Sequence, residues 1–113
     1  MKFYEYIEVF FKERSITLAP VTVLNYRREL ERAVQLLGDR NLTEITLTDM
    51  KNYFVNLQNN VENHYNSQLL KHGTIIQHYI VLHAFFENAK EDEIIISNPM
   101  ERLKSPKPRE RMK

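Results

Sequence analysis

Cysteine is absent from this 113-residue chain. No disulfide, thiolate metal site or cysteine nucleophile can form, and nothing points to an oxidising compartment, so the cytoplasm is the expected location. Glycine and proline are scarce. Gly38, Gly73, Pro20, Pro99, Pro106 and Pro108 are all there are, and they fall between periodic segments, the pattern of helices joined by short connections. No apolar run approaches the roughly 20 residues needed to cross a bilayer. The opening MKFYEYIEVFFKERS is amphipathic and interrupted by Glu5 and Glu8, unlike a secretory leader, so no membrane partner is expected. There is no repeat of fixed period, which excludes solenoids and propellers. A nucleophile–base pair, a glycine-rich phosphate loop and a carboxylate constellation are missing too, which argues against a small enzyme. Nor is there a large excess of charge: 16 basic and 15 acidic residues leave a net +1.

What is present is apolar periodicity. Hydrophobic residues make up 42% of the chain, enough for one core in one domain. Phe3, Ile7, Phe10 and Phe11 share one face of a helix predicted near residues 2 to 14. A second helix is predicted from Pro20, tolerated in a first turn, to about Leu37, with Gly38 as a left-handed stop. Its apolar stripe is Val23, Tyr26, Leu30, Ala33, Val34 and Leu37. Leu42 and Ile45 lie in the connection that follows and can plug the core. A third helix is expected from about Leu47, opened by Thr46-x-x-Asp49 as a capping box and buried through Met50, Tyr53, Phe54, Leu57 and Val61. The asparagine-rich stretch from Gln58 to Lys71 has weak periodicity and is expected to be a long loop. A fourth helix is predicted to open at Thr74, with Thr74 and Gln77 as a second box, and to run to about Lys90; it is apolar nearly all round, as central helices are. Asn98, Pro99 and Glu101 predict a short fifth helix. From Ser105 the chain reads as an extended basic linker.

The side of the second helix opposite its stripe carries Asn25, Arg28 and Arg32, with Thr22 and Glu29 at the edge. From Glu101 onward six basic residues (Arg102, Lys104, Lys107, Arg109, Arg111, Lys113) face two acidic ones, a distribution that gives the tail a positive character. His78 falls in the apolar stripe of the fourth helix, where a neutral core histidine is the ordinary outcome. His64, His72, His78 and His83 lack convergent carboxylates at ligand spacing, so neither a metal nor another cofactor is expected. The six tyrosines read as packing or surface residues.

The ordered set of pieces resembles the core-binding domain of phage integrases and Xer-type tyrosine recombinases. The residues that carry the resemblance run from Phe3 to Lys107. They are Thr22, Tyr26 and Leu30 in T-x-x-x-Y-x-x-x-L; Leu42-x-x-Ile45-Thr46-x-x-Asp49; Thr74-Ile75 followed by Leu82 and Phe85-Phe86; and Ile96-Ser97-Asn98-Pro99-Met100 with Lys104 and Pro106-Lys107 beyond. The resemblance implies an all-α, four-helix SAM-like orthogonal bundle over residues 1–103, with the basic linker 104–113 leading to a separate catalytic domain. It implies double-stranded DNA as the partner, held by the second and fourth helices in the major groove, and other protomers in a recombination tetramer. The family's catalytic tyrosine, arginine, lysine and histidine motifs are not found, so this chain is not expected to cut DNA.

On that basis the expected DNA-binding residues are Thr22, Asn25, Arg28 and Arg32 on the second helix, Lys71, His72, Thr74 and Gln77 at the start of the fourth, and Lys104, Lys107 and Arg109 in the tail. Amides and hydroxyls would reach base edges, and cations would take phosphates or guanine. Periodicity alone allows a plainer alternative for the second helix, a solvated face on which Glu29 and Glu31 neutralise the arginines. A different class of function, a helical protein–protein interaction module, would use exposed Ile76, Ile80 and the aromatic first helix.

Overall fold

The computed structural model describes residues 1–14, 16–64 and 72–104, with side chains at all of these except 58–64 and 72–74. Among the described residues four helices carry the fold, α1 (Phe3–Arg14), α2 (Pro20–Leu37), α3 (Leu47–His64) and α4 (His72–Glu91), with a 3-10 turn at Leu42–Glu44 between α2 and α3. Among the described residues the one β-type feature is an isolated bridge between Lys2 and Asn41. The fold is all-α, as the periodicity predicts.

α1 forms because its apolar residues recur at helical spacing, and Phe3, Tyr6, Ile7, Phe10 and Phe11 are all buried. They meet α4. Phe85 stacks on Phe3 at 5.2 Å between ring centroids and takes edge contacts from Tyr6 at 5.3 Å and Phe10 at 5.5 Å. Each such ring contributes about 1.5–3 kcal/mol through burial, with about 0.5–1.5 kcal/mol more per aromatic pair. α2 and α4 each pack on all three other helices, the central position expected of α4 from its nearly unbroken apolar surface.

Polar contacts fix the ends. The Tyr6 hydroxyl donates to Asp92 Oδ2 at 2.6 Å and accepts from Asn88 Nδ2 at 2.7 Å, while Arg14 Nη2 donates to Asn88 Oδ1 at 3.1 Å. This knot ties α1 to the end of α4. The N-terminus of α1 is capped from far along the chain: Tyr4 N donates to Asp39 Oδ1 at 2.8 Å and Phe3 N to the Arg40 carbonyl at 2.9 Å. The Thr46/Asp49 box forms as expected, with Thr46 N to Asp49 Oδ2 at 2.9 Å and Asp49 N to Thr46 Oγ1 at 3.1 Å. Arg40 Nη2 adds a 2.6 Å ion pair to Asp49, and these donors hold the carboxyl of Asp49 below its ordinary range.

Four expectations need correction. Gly38 ends α2, but with φ 88° and ψ 154°. It lies not in the left-handed helical region but in one that only glycine occupies readily, and that conformation turns the chain so that Asp39 and Arg40 reach α1. α3 continues through Gln58 to His64 where a loop was expected; only 65–71 of that stretch lies outside the described residues, and the side chain of Val61 does too. A helix already nucleated extends at small cost through asparagine and glutamine. α4 starts at His72, which makes Thr74 a helical residue rather than a cap. The expected fifth helix is a run of turns. Asn98 Oδ1 accepts from Met100 N at 2.8 Å, its amide donates to the His83 carbonyl at 3.2 Å and to Glu87 Oε1 at 3.1 Å, and Met100 is fully buried. Through these bonds Asn98 anchors the segment to α4.

Candidate nucleic-acid interface

The two sides of α2 differ sharply. Leu30 and Ala33 are buried, and Val23, Tyr26, Val34 and Leu37 pack partly buried against the core. The opposite side carries Val21, Leu24, Asn25, Arg28 and Gln35, all exposed, with Arg32 and Thr22 half-buried towards one edge. One helix thus brings together Thr22, Asn25, Arg28 and Arg32.

The three arginines of α2 separate by partner. Arg27 forks onto Glu8 of α1, with Nη1–Oε2 at 2.8 Å and Nη2–Oε1 at 3.2 Å, and lies 3.8 Å from Glu31. Its guanidinium covers the Phe11 ring at 4.8 Å from the centroid. That fork holds the Glu8 carboxyl below its usual range. Among the described residues, Arg28 and Arg32 have no ion pair within 4 Å.

The acidic residues of α2 are drawn away from the arginine side. Glu31 faces Arg27. The Glu29 carboxyl is half-buried, and its Oε1 has no hydrogen-bond partner among the described residues. Burial pushes its pKa up to about 7, with only partial opposition from the charge of Arg28. At neutral pH it is close to half-protonated and carries only about half of its full negative charge. The plainer sequence alternative, in which Glu29 and Glu31 neutralise Arg28 and Arg32, is not the arrangement found.

Arg32 lies near enough to the α3–α4 junction for its charge to be felt at Tyr53 and His78. The Tyr53 hydroxyl and His78 Nδ1 are 3.4 Å apart and both side chains are buried, a long hydrogen bond. Burial, reinforced by Arg32, brings the pKa of His78 down to about 4. It is a neutral core histidine.

A profile of the phage integrase SAM-like domain matches residues 2–105. The chain belongs to that family. A crystal structure of a lambda integrase(75-356) dimer bound to a COC' core site shares the fold of this SAM-like domain, with a TM-score of 0.74 and 17% sequence identity over 98% of this chain. The SAM-like domain spans 38% of that chain. No curated protein matches the sequence.

Of the remaining site candidates of the SAM-like domain, only Gln77 and Lys104 have described side chains. Gln77 is half-buried, next to His78. His72 and Thr74 lie in the first turn of α4, but their side chains are outside the described residues, as are Lys71, Lys107 and Arg109 altogether. Lys104 is exposed and follows Leu103, whose carbonyl accepts from the Tyr79 hydroxyl at 2.9 Å; no hydrogen bond or ion pair among the described residues links it to α2. The aromatic side of α1, which a protein-interaction module would present, is consumed by the core. Sequence reasoning passed over Val21 and Leu24. The signal was there, since both fall outside the apolar stripe of α2 at 100° per residue. No described helix is long and apolar enough to cross a membrane.

Proposed function

We propose that this SAM-like domain binds duplex DNA through the outward side of α2 and serves as the core-binding domain of a tyrosine recombinase, whose catalytic centre lies in a separate domain reached through residues 104–113. The observation that carries the reading is the sorting of charge on α2. Arg27, Glu8 and Glu31 satisfy one another against α1, Glu29 is half-buried and only about half ionised at neutral pH, and Arg28 and Arg32 remain without an acidic partner beside Asn25 and Thr22. A helix of this kind fits a major groove, with arginines on phosphates or guanine and short polar side chains at base edges.

Membership of the phage integrase SAM-like family and the fold shared with a DNA-bound lambda integrase support the same reading. The cations of the tail, Lys104, Lys107 and Arg109, would add phosphate contacts without sequence preference. Holding the site from one side of the duplex, the domain would position its catalytic domain and the neighbouring protomers of a recombination tetramer.

Fluorescence anisotropy with a labelled duplex, at several salt concentrations, tests this. Wild type is expected to bind saturably and more weakly as salt rises. Arg28→Ala/Arg32→Ala should weaken binding and lower the salt slope by about two, near one per lost phosphate contact. Binding unchanged by the double substitution would remove α2 from the interface.

A further inference from the structure

Resting on the DNA reading just given, we propose that the N-terminal half of α2 reads A·T pairs in the major groove, with Asn25 as the base-reading amide and Val21 and Leu24 as contacts to thymine methyl groups. No charged residue occurs between Arg14 and Arg27, so the first two turns of α2 are uncharged and the cations begin only beyond them. On the outward side those turns expose branched apolar side chains: Val21 is 69% and Leu24 58% accessible. On an ideal helix both lie within about 40° of Arg28, on the side away from the core. Asn25 lies one turn beyond Val21 and about 40° round the helix from it, exposed, and its amide makes no hydrogen bond to any described residue.

This combination matches one base pair better than the others. Thymine alone presents a methyl group in the major groove, and adenine N7 and N6 pair with a carboxamide in a two-bond fork. Guanine reading calls for arginine or lysine, and neither stands in these turns. Arg32 lies about 10 Å along the axis from Asn25, at 1.5 Å per residue, so the arginines can hold phosphates while the uncharged turns face the bases. Unpaired arginines continuing the same face favour a polyanion over an apolar protein surface as its occupant.

The test is a binding-site selection from a random duplex library, followed by titration of the best site. Wild type, Asn25→Ala and Val21→Ser/Leu24→Ser are compared, and the selected site is also made with deoxyuridine in place of thymine. All three side chains are exposed, so the variants should keep their helical circular dichroism; the deoxyuridine arm uses wild type and does not depend on them. Enrichment of adenine and thymine is expected. Asn25→Ala should lose about tenfold on the selected site while keeping its affinity for random DNA within twofold. Removing the thymine methyls should weaken wild type several-fold and leave Val21→Ser/Leu24→Ser unaffected.

Salt-sensitive binding that needs Arg28 and Arg32 but shows no preference, a G·C preference, or a preference surviving both variants would overturn this assignment and leave the DNA reading intact. Absence of binding even at low salt would overturn both. If Val21→Ser/Leu24→Ser instead splits a dimer in sedimentation and leaves site preference unchanged, the patch is a contact between copies and the assignment fails.

Discussion

Arg27 and Arg28 are neighbours in sequence and differ in everything that matters to function. One step along a helix turns a side chain by about 100°. Arg27 therefore meets Glu8 and the Phe11 ring of α1, while Arg28 meets solvent beside a Glu29 whose carboxyl is half-buried. One side of α2 is a structural clamp and the other is a surface with cations to offer. A net charge of +1 hides this difference. For a polyanion, the unpaired charge on one face matters more than the total.

Exchanging the roles of the two sides gives the sharpest tests. The largest effect is expected from Arg28→Ala/Arg32→Ala, which should lower DNA affinity ten- to a hundredfold at moderate salt in anisotropy titrations. Thermal unfolding should move by no more than about 1 kcal/mol, since Arg28 is exposed and Arg32 only half-buried. Gly38→Ala at the end of α2 should do the reverse. A Cβ there would meet only Arg40 Cγ at 3.6 Å, an ordinary contact, so the cost is backbone strain of about 1–3 kcal/mol, read as a lower midpoint in urea. Arg27→Ala should cost about 1 kcal/mol through loss of the fork to Glu8 and the contact with Phe11, with DNA affinity close to wild type.

The subtlest test is titration. Glu29 has a pKa of about 7 in the folded domain against an ordinary 4.5, so the folded state keeps a proton that the unfolded chain releases. Its contribution to stability is therefore lost as pH rises from about 4.5 to about 7. His78 works in the opposite sense. Its pKa is about 4 folded against an ordinary 6.5, so the unfolded chain gains a proton first and stability falls as pH drops from about 6.5 to about 4. Glu29→Gln should raise stability at pH 8 by about 1 kcal/mol, since solvent around a half-buried group screens much of the full effect. Between pH 5 and 6.5, Glu29→Gln and His78→Gln should tilt the stability profile in opposite directions, followed by thermal melts. Ionised Glu29 would also oppose phosphate beside Arg28. DNA affinity should fall a few-fold between pH 6 and 8 in wild type and stay flatter in Glu29→Gln.

The sequence by itself determined what rests on local spacing. The buried stripes of α1 and α2, the Thr46/Asp49 cap, the neutral His78 and the shared side of Thr22, Asn25, Arg28 and Arg32 all follow from 3.6-residue periodicity and from side chains that reach three or four residues away. Tertiary structure decided the rest. The Arg27–Glu8 fork spans 19 positions and the Tyr4–Asp39 cap 35, distances over which a linear pattern carries no signal. The same holds for Asn98, whose caps look local until its amide is seen to reach α4, turning an expected helix into anchored turns. The half-burial of Glu29 is likewise a product of packing. A glutamate written between two arginines reads as neutralisation, and only the helices around it reveal that burial keeps much of its charge from forming.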